Sequence, residues 1–186
     1  DDIKKLRAMT GAGLADVKKA LTEAEGDFDR AKELLRERGL AIAAKRSDRE
    51  TSNGCVLVKK VGGFAAMIAL KCETDFVANG ADFIALTQSI LDAAVAAKCS
   101  TLDEVKELDV NGQKAQEAVT QRSGITGEKM ELDGYLTLEG DNVEVYDHMG
   151  KHILCTMVQL NKENVEVGHK LAMQVAAMKP VALDAQ

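Results

Sequence analysis

Apolar residues recur every three or four positions along the first forty residues of the chain, which is the spacing of amphipathic helices. Three such stripes are present: Ile3, Leu6 and Met9; Leu14, Val17, Leu21 and Ala24; Phe28, Ala31 and Leu35. Glycines separate the stripes, Asp27 follows Gly26 as an N-cap residue, and Gly39 is predicted to end the third helix. The pattern predicts a three-helix module over residues 1–40, which is small enough to leave apolar surface free for a partner.

The pattern changes to that of β-strands after the polar segment 41–53, which is predicted to be a linker with some helix at its start. Two β-rich runs, 55–61 and 64–70, flank the pair Gly62–Gly63. Two glycines between such runs are a strong hairpin signal, because the tight turns need positive φ angles. After a loop, Asp82 is predicted to cap a helix. The apolar side of that helix carries Phe83, Leu86, Ile90 and Val95.

The same order of elements recurs later in the chain. An acidic, helix-like stretch reaches residue 131, and strand patterns and a helical pattern then follow at 135–138, 143–146, 153–160 and 171–177. Strand, strand and helix therefore occur twice. This predicts an α+β protein whose core has two related halves, 54–131 and 132–186. Only six residues follow Pro180, so the second half is expected to be truncated.

Composition is that of a folded domain. Of the residues, 46% are hydrophobic and 29% are charged, with one proline, so the chain can bury a core. No apolar run approaches the roughly 20 residues of a membrane span, and the start has no signal-peptide layout. We therefore expect a soluble, cytoplasmic protein with no membrane partner. Four scattered cysteines without a CxxC pair are expected to be reduced, buried thiols: Cys55, Cys72, Cys99 and Cys155.

The charge distribution argues against a nucleic-acid partner. Residues 1–50 carry 12 basic and 11 acidic side chains, whereas residues 51–186 carry 12 and 19. Binding to a phosphate backbone is driven by cationic contacts and counterion release, which an acidic body disfavours. A protein or a small ligand is therefore the expected target.

No motif for covalent chemistry occurs in the sequence. The glycine-containing stretch 124–129 lacks the spacing of a phosphate-binding loop, and neither HExxH nor GxSxG is present. His148 and His152 are four residues apart, but Gly150 and flanking strand patterns place the pair on a hairpin turn. A metal site there has no evident third ligand. We therefore expect no catalytic residue, no metal and no cofactor.

The segment 72–80, between the hairpin and the helix, allows two interpretations. It contains Phe76, one of only four phenylalanines, in a polar loop. In the first interpretation Phe76 packs into the core, and Thr74 or Asp75 caps a turn. In the second, Phe76 is an exposed apolar wedge beside the Asp75 carboxylate, held on a rigid junction. The residues alone favour the first interpretation.

Three stretches of the chain resemble elongation factor Ts, the family of exchange factors for the translational GTPase elongation factor Tu. Residues 3–21 (IKKLRAMTGAGLADVKKAL) are close to the N-terminal signature of that family, and residues 72–78 (CETDFVA) are similar to its core motif. The third stretch joins 148–153 (HMGKHI) to a helix that ends in 175–177 (VAA) and to Lys-Pro at 179–180. The resemblance covers nearly the whole chain.

The resemblance implies how the chain would bind elongation factor Tu. The N-terminal module, similar to ubiquitin-associated domains, docks on the nucleotide-binding domain of that partner. The Asp-Phe pair of the core motif pushes toward its magnesium and phosphate site and promotes release of GDP, and the second half touches another domain. The contact residues that the resemblance implies are Arg7, Leu14, Ala15, Thr74, Asp75, Phe76, Val77 and His148.

Two features depart from the family pattern. Leu14 and Ala15 stand where two methionines are common, which affects the strength of that contact and not its location. Longer family members continue into a helical dimerisation hairpin and the rest of the second half. The resemblance therefore implies a truncated chain here, and it leaves a homodimer as one alternative for the full-length protein. The partner is expected in both its GDP-bound and its nucleotide-free state.

Two other functions stay open on the sequence alone. A small enzyme or ligand-binding protein would use His148, His152 and nearby carboxylates, and metal in the purified protein would reveal it. An adaptor of the ubiquitin-associated type would bind peptides through residues 1–50 alone. Neither alternative accounts for the motif at 72–78.

Overall fold

The computed structural model describes residues 2–184 and has the predicted α+β architecture. The helices are α1 (Asp2–Thr10), α2 (Leu14–Glu23), α3 (Phe28–Ala44), α4 (Asp75–Ala78), α5 (Ala81–Ala97), α6 (Leu102–Glu107), α7 (Ala115–Thr126) and α8 (Val165–Met178). The strands are β1 (Asn53–Val61), β2 (Phe64–Cys72), β3 (Asp109–Val110), β4 (Gln113–Lys114), β5 (Glu131–Glu139), β6 (Val143–Asp147) and β7 (Cys155–Gln159). Within residues 2–184, no helix combines the length and the apolar character that crossing a membrane requires.

The first three helices form the predicted module around a small core of their own. Leu6, Val17 and Ala31 are fully buried at its centre. Asp27 caps α3 as predicted, because its carboxylate accepts a 2.8 Å hydrogen bond from the backbone N–H of Arg30. The apolar spacing in the sequence therefore gives the three helices and their buried sides.

The prediction that Gly39 ends the third helix is wrong, since α3 continues to Ala44. A glycine at the end of a helical pattern commonly marks the C-terminus, but here it permits close packing. Gly39 is buried against Gly124 of α7, and a Cβ added to Gly124 would overlap the Cα of Gly39. Helices α3 and α7 therefore cross at two glycines, and this crossing seats the N-terminal module on the rest of the protein.

The two glycines of this crossing are expected to tolerate alanine differently. A Cβ at Gly39 would lie 3.8 Å from the Cα of Gly124, which is an ordinary contact. Gly39→Ala should therefore leave stability unchanged or raise it by about 0.5–1 kcal/mol through helix propensity. Gly124→Ala must push the helices apart and should cost about 1–3 kcal/mol. Thermal unfolding of both variants measures the difference, and equal midpoints would contradict the close crossing.

The predicted hairpin is confirmed. Strands β1 and β2 are antiparallel, and Val61 pairs with Phe64 across a turn in which Gly62 has a φ of +59°. Strand β5 pairs with the other edge of β2, so the sheet has the order β1-β2-β5. Side chains from this sheet and from α5, α6 and α7 form the main core, in which Ile68 and Phe83 are fully buried.

Helix α5 has the predicted apolar side but a different N-terminus. Its N-cap is Gly80, which has the extended conformation typical of that position. The prediction that Asp82 caps the helix is therefore wrong, because Asp82 lies within the helix. Asp82 instead lies in the first turn, where a carboxylate interacts favourably with the helix dipole. It also forms an ion pair with Arg122 of α7, with an N–O distance of 3.1 Å.

A second hairpin, β6–β7, packs against the first sheet and carries α8 on its other side. Strand, strand and helix thus occur twice, as β1–β2–α5 and β6–β7–α8. The sequence pattern places 135–138 in the second half, whereas β5 pairs along β2 and completes the first sheet. The division of the core at residue 132 stays a prediction.

Candidate partner-binding site

The segment that follows β2 forms a short, well-capped turn of helix. Thr74 has an extended conformation, and its side-chain oxygen accepts a 3.3 Å hydrogen bond from the backbone N–H of Val77. The Asn79 side chain donates a 2.8 Å bond to the carbonyl oxygen of Asp75 at the other end. Hydrogen bonds at both ends therefore hold α4, and the prediction that Thr74 or Asp75 caps a turn is confirmed for Thr74.

Phe76 projects from this turn into solvent, with 86% of its surface exposed. The interpretation that it packs into the core is wrong, because Ala78 occupies the buried position of α4. Val77 is half-buried and packs against the main core, while Thr74 and Asp75 are exposed. An exposed phenylalanine on a fixed backbone is the feature expected of an interaction anchor. We call residues Thr74–Ala78 the Phe76 turn.

Two carboxylates that the sequence analysis missed fix the base of the Phe76 turn. Glu128 accepts hydrogen bonds from the backbone N–H groups of Glu73 and Thr74, at 3.1 and 3.0 Å, and from the Thr74 hydroxyl at 2.6 Å. Glu73 in return accepts a 2.6 Å bond from the backbone N–H of Lys129, which lowers the pKa of Glu73, and the Arg49 guanidinium lowers this pKa further. Glu128 lies more than fifty residues from the motif in sequence, so no local pattern indicates the contact.

The three N-terminal candidate residues lie together at one end of the helical module. Arg7 is in the last turn of α1, and Leu14 and Ala15 begin α2 after a three-residue connection. All three are exposed, Leu14 by 46% of its surface, and the neighbouring Met9 by 53%. Met9 shares the apolar spacing of Ile3 and Leu6 but extends this exposed surface. The module therefore presents a basic side chain and two large apolar side chains at one end.

His148 lies on the turn between β6 and β7, as predicted for the histidine pair. Its backbone N–H donates a 2.8 Å bond to Leu154, and its ring meets that of Tyr146 edge-to-face at 5.7 Å. Its Nδ1 atom is buried without a hydrogen-bond partner. The Nδ1 atom of His152 is hydrogen-bonded to the Asp147 carboxylate. Within residues 2–184, no group of three or more candidate ligands is placed to hold a metal ion.

The segment 148–154 between β6 and β7, which we call the His148 turn, approaches the Phe76 turn across a cavity. The backbone N–H of Val56 on β1 donates a 2.7 Å bond to the carbonyl oxygen of His152. A cavity of about 320 Å³ between the two turns is lined by both Asp75 and Ile153. Ile153 itself is largely exposed. The cavity therefore brings Ile153, five residues after His148, close to the base of the Phe76 turn.

The four cysteines are free and buried, as predicted. Burial raises the pKa of Cys55 and of Cys72 to about 11 and that of Cys155 to about 12. A thiol reacts as its thiolate, so burial and a raised pKa both disfavour reaction of these three thiols near neutral pH.

Comparison with known proteins identifies the relatives of the chain. The model of the family described as Elongation factor TS matches residues 73–186. A protein named Elongation factor Ts from Parabacteroides distasonis is 64% identical over 183 residues, which are 98% of this chain and 56% of that protein. Its namesake from Phocaeicola vulgatus is 62% identical over 183 residues, again 98% of this chain and 56% of that protein. Another from Porphyromonas gingivalis is 47% identical over 184 residues, which are 98% of this chain and 67% of that protein.

These matches place the chain among the elongation factors of protein biosynthesis. Within that class it belongs to the elongation factor Ts family. The family match begins at Glu73 and so includes both the Phe76 turn and the His148 turn. The chain spans about half the length of the first relatives, at 56% of each.

Proposed function

We propose that the chain is a guanine nucleotide exchange factor that binds elongation factor Tu and promotes the release of GDP. The exposure of Phe76 on a rigid, capped turn carries the proposal. Burying such a ring in a partner gains about 1.5–3 kcal/mol, and the ordered backbone loses little conformational entropy on binding. No covalent step by this chain is needed, because exchange replaces one bound state of the partner by another.

The exchange follows from thermodynamic reciprocity. A factor that binds nucleotide-free elongation factor Tu better than the GDP-bound form must weaken GDP binding by the same factor. Each tenfold weakening corresponds to about 1.4 kcal/mol of differential contact. Insertion of Phe76 at the nucleotide site can therefore weaken GDP binding by about 10- to 100-fold.

The Asp75 carboxylate beside the ring acts on the magnesium ion of the partner in this proposal. Magnesium holds oxygen ligands in a strict octahedral geometry and binds through few protein groups together with phosphate oxygens. A carboxylate and an aromatic ring that enter next to it disturb those ligands, which weakens the hold on the GDP phosphates. Thr74 and Val77 hold the turn that presents both groups.

The other two candidate regions supply affinity. Arg7, Leu14 and Ala15 dock the N-terminal module on the nucleotide-binding domain, and His148 contacts a second domain of the partner. Residues 51–186 are net acidic, which fits a protein partner and not a nucleic acid. We place this function in the cytoplasm, where translation elongation occurs.

Binding to the two nucleotide states of elongation factor Tu tests the proposal. The chain should bind the nucleotide-free form at least tenfold more tightly than the GDP-bound form, which is the minimum for useful exchange. Titration calorimetry with both forms gives the ratio. Equal affinities would rule out exchange by this mechanism, since a ligand with no preference shifts no equilibrium.

Arg7→Ala is expected to weaken docking without changing the exchange step. Loss of one exposed, charge-assisted contact should raise the concentration for half-maximal exchange about three- to tenfold, while the maximal rate stays constant. Arg30→Ala is the matched control, because Arg30 is also exposed but lies on α3 in an ion pair with Glu37. Should both variants show the same concentration dependence as the unmodified chain, Arg7 is not part of the docking surface.

A further inference from the structure

The C-terminal end of α7 and the residues after it contact both the base of the Phe76 turn and the N-terminal helical module. On one side, Glu128 binds Glu73 and Thr74 at the base of the Phe76 turn. On the other side, Gly124 is in close contact with Gly39 of the N-terminal module. We call residues 122–128 the α7 end. The Phe76 turn and the N-terminal module are both attached to the rest of the protein at the α7 end.

Further contacts attach the N-terminal module to the α7 end. A Cβ built on Gly11, in the connection between α1 and α2, would lie 3.3 Å from the Ile125 side chain. The Arg46 guanidinium, just beyond α3, approaches Gly127 in the same way at 3.3 Å. Three separate segments of the module or its linker therefore contact the α7 end. The arrangement fixes the direction in which the module points.

Glu128 is itself held in place from both sides. Its backbone N–H donates a 3.2 Å bond to the Thr126 hydroxyl, and its carbonyl oxygen accepts a 2.5 Å bond from the hydroxyl of Ser123. Ser123 is buried, with 3% of its surface exposed. Because the backbone of Glu128 cannot move independently of α7, its carboxylate transmits the position of α7 to the Phe76 turn.

The path from Glu128 to Phe76 is short and continuous. The Thr74 hydroxyl donates to Glu128 and accepts from the N–H of Val77, so one atom links the carboxylate to the first turn of α4. A carboxylate that accepts three bonds is a strong, charge-assisted anchor. Without it the N-cap of α4 keeps its local bond to Val77 but loses its attachment to the α7 end.

We propose that Glu128 is a positioning residue that fixes the position of the Phe76 turn relative to the N-terminal module. Both the turn and the module are attached to the α7 end. The inference rests on the proposed function for its rate measurement, but its structural measurement is independent of that function. Glu128 does not touch the partner in this account. It acts through Thr74, and its effect on exchange depends on the presence of Phe76.

Glu128→Gln tests the positioning directly, by amide hydrogen exchange. The amide keeps the size of the side chain but can no longer accept all three bonds. The N–H groups of Ala78, in the turn, and of Asn79, directly after it, should therefore exchange about tenfold faster. Asp92→Asn is the control, since Asp92 also accepts two side-chain hydrogen bonds but lies on α5 and binds Lys59. Unchanged exchange in the turn, relative to Asp92→Asn, overturns the proposal.

The rate measurement then tests whether the positioning matters for exchange. Glu128→Gln should lower the maximal rate of GDP release about tenfold in the unmodified chain, and have less than a twofold effect when Phe76→Ala is already present. Additive effects of Glu128→Gln and Phe76→Ala would overturn the positioning role.

The two measurements separate failure of this inference from failure of the proposed function. If the unmodified chain does not accelerate GDP release, the proposed function is wrong, and the hydrogen exchange of the turn still decides whether Glu128 holds it. If the chain accelerates release but Glu128→Gln behaves as Asp92→Asn does, the function stands and the inference is wrong.

Discussion

Phe76→Ala is expected to lower the maximal rate of GDP release from elongation factor Tu by about 10- to 100-fold. The estimate follows from the roughly 1.5–3 kcal/mol that burial of a phenylalanine ring provides. The ring is exposed in the free protein, so its removal costs no packing within the chain. The thermal unfolding midpoint should therefore stay within about 1 °C of that of the unmodified chain.

Stopped-flow release of a fluorescent GDP analogue at saturating factor measures this effect. Phe76→Leu is the matched variant, because leucine retains apolar bulk and should recover part of the rate. A variant that unfolds, or one that exchanges at the normal rate, would contradict the role of Phe76 as the inserted group.

Phe83→Ala is expected to have the largest effect on stability, a loss of about 3–5 kcal/mol. Phe83 is fully buried on α5, against the sheet that carries the Phe76 turn. Removal of its ring leaves a cavity that the packed core fills only in part. For a domain of this size the loss corresponds to a fall in the unfolding midpoint of about 6–20 °C.

Calorimetry or circular dichroism on heating compares Phe83→Ala with Phe76→Ala. The two substitutions remove the same atoms seven residues apart, so a difference between them reports the environment and not the chemistry of the side chain. Similar midpoints for both variants would contradict the burial of Phe83 and the exposure of Phe76. Phe83→Leu should show a smaller loss than Phe83→Ala, since it leaves less empty volume.

The same comparison shows what the sequence could predict and what it could not. Phe83 falls on the apolar stripe of a strongly periodic helix, and its burial follows from that spacing. Phe76 lies in a short segment with no period of its own, where a phenylalanine alone indicates burial. Its exposure depends on α4, a single turn whose cap bond at Thr74 places Ala78 inside and Phe76 outside.

Local sequence patterns do not predict contacts between segments that are distant in the sequence. Gly62–Gly63 gave the first hairpin because turn chemistry is local. In the sequence, Gly39 looks like a glycine that ends a helix. In the fold it lies within α3 and packs against Gly124 of another helix. Glu128 is likewise an ordinary acidic residue in the sequence, and only the fold brings it to the Phe76 turn.

The residues of the candidate site follow mainly from the family resemblance and only in part from local sequence patterns. The resemblance implied Arg7, His148 and the Asp75–Phe76 pair, and the structure shows where each lies. It places Ile153 of the His148 turn and Asp75 of the Phe76 turn on the same cavity, because the second hairpin packs on the first sheet. Whether these residues contact elongation factor Tu stays a prediction.

Release of fluorescent GDP from elongation factor Tu, measured with increasing amounts of this chain, tests the central claim most directly. We predict that the release rate rises with the concentration of the chain to a plateau at least tenfold above the intrinsic rate. A rate that stays at the intrinsic value at every concentration would contradict the claim that this chain is an exchange factor.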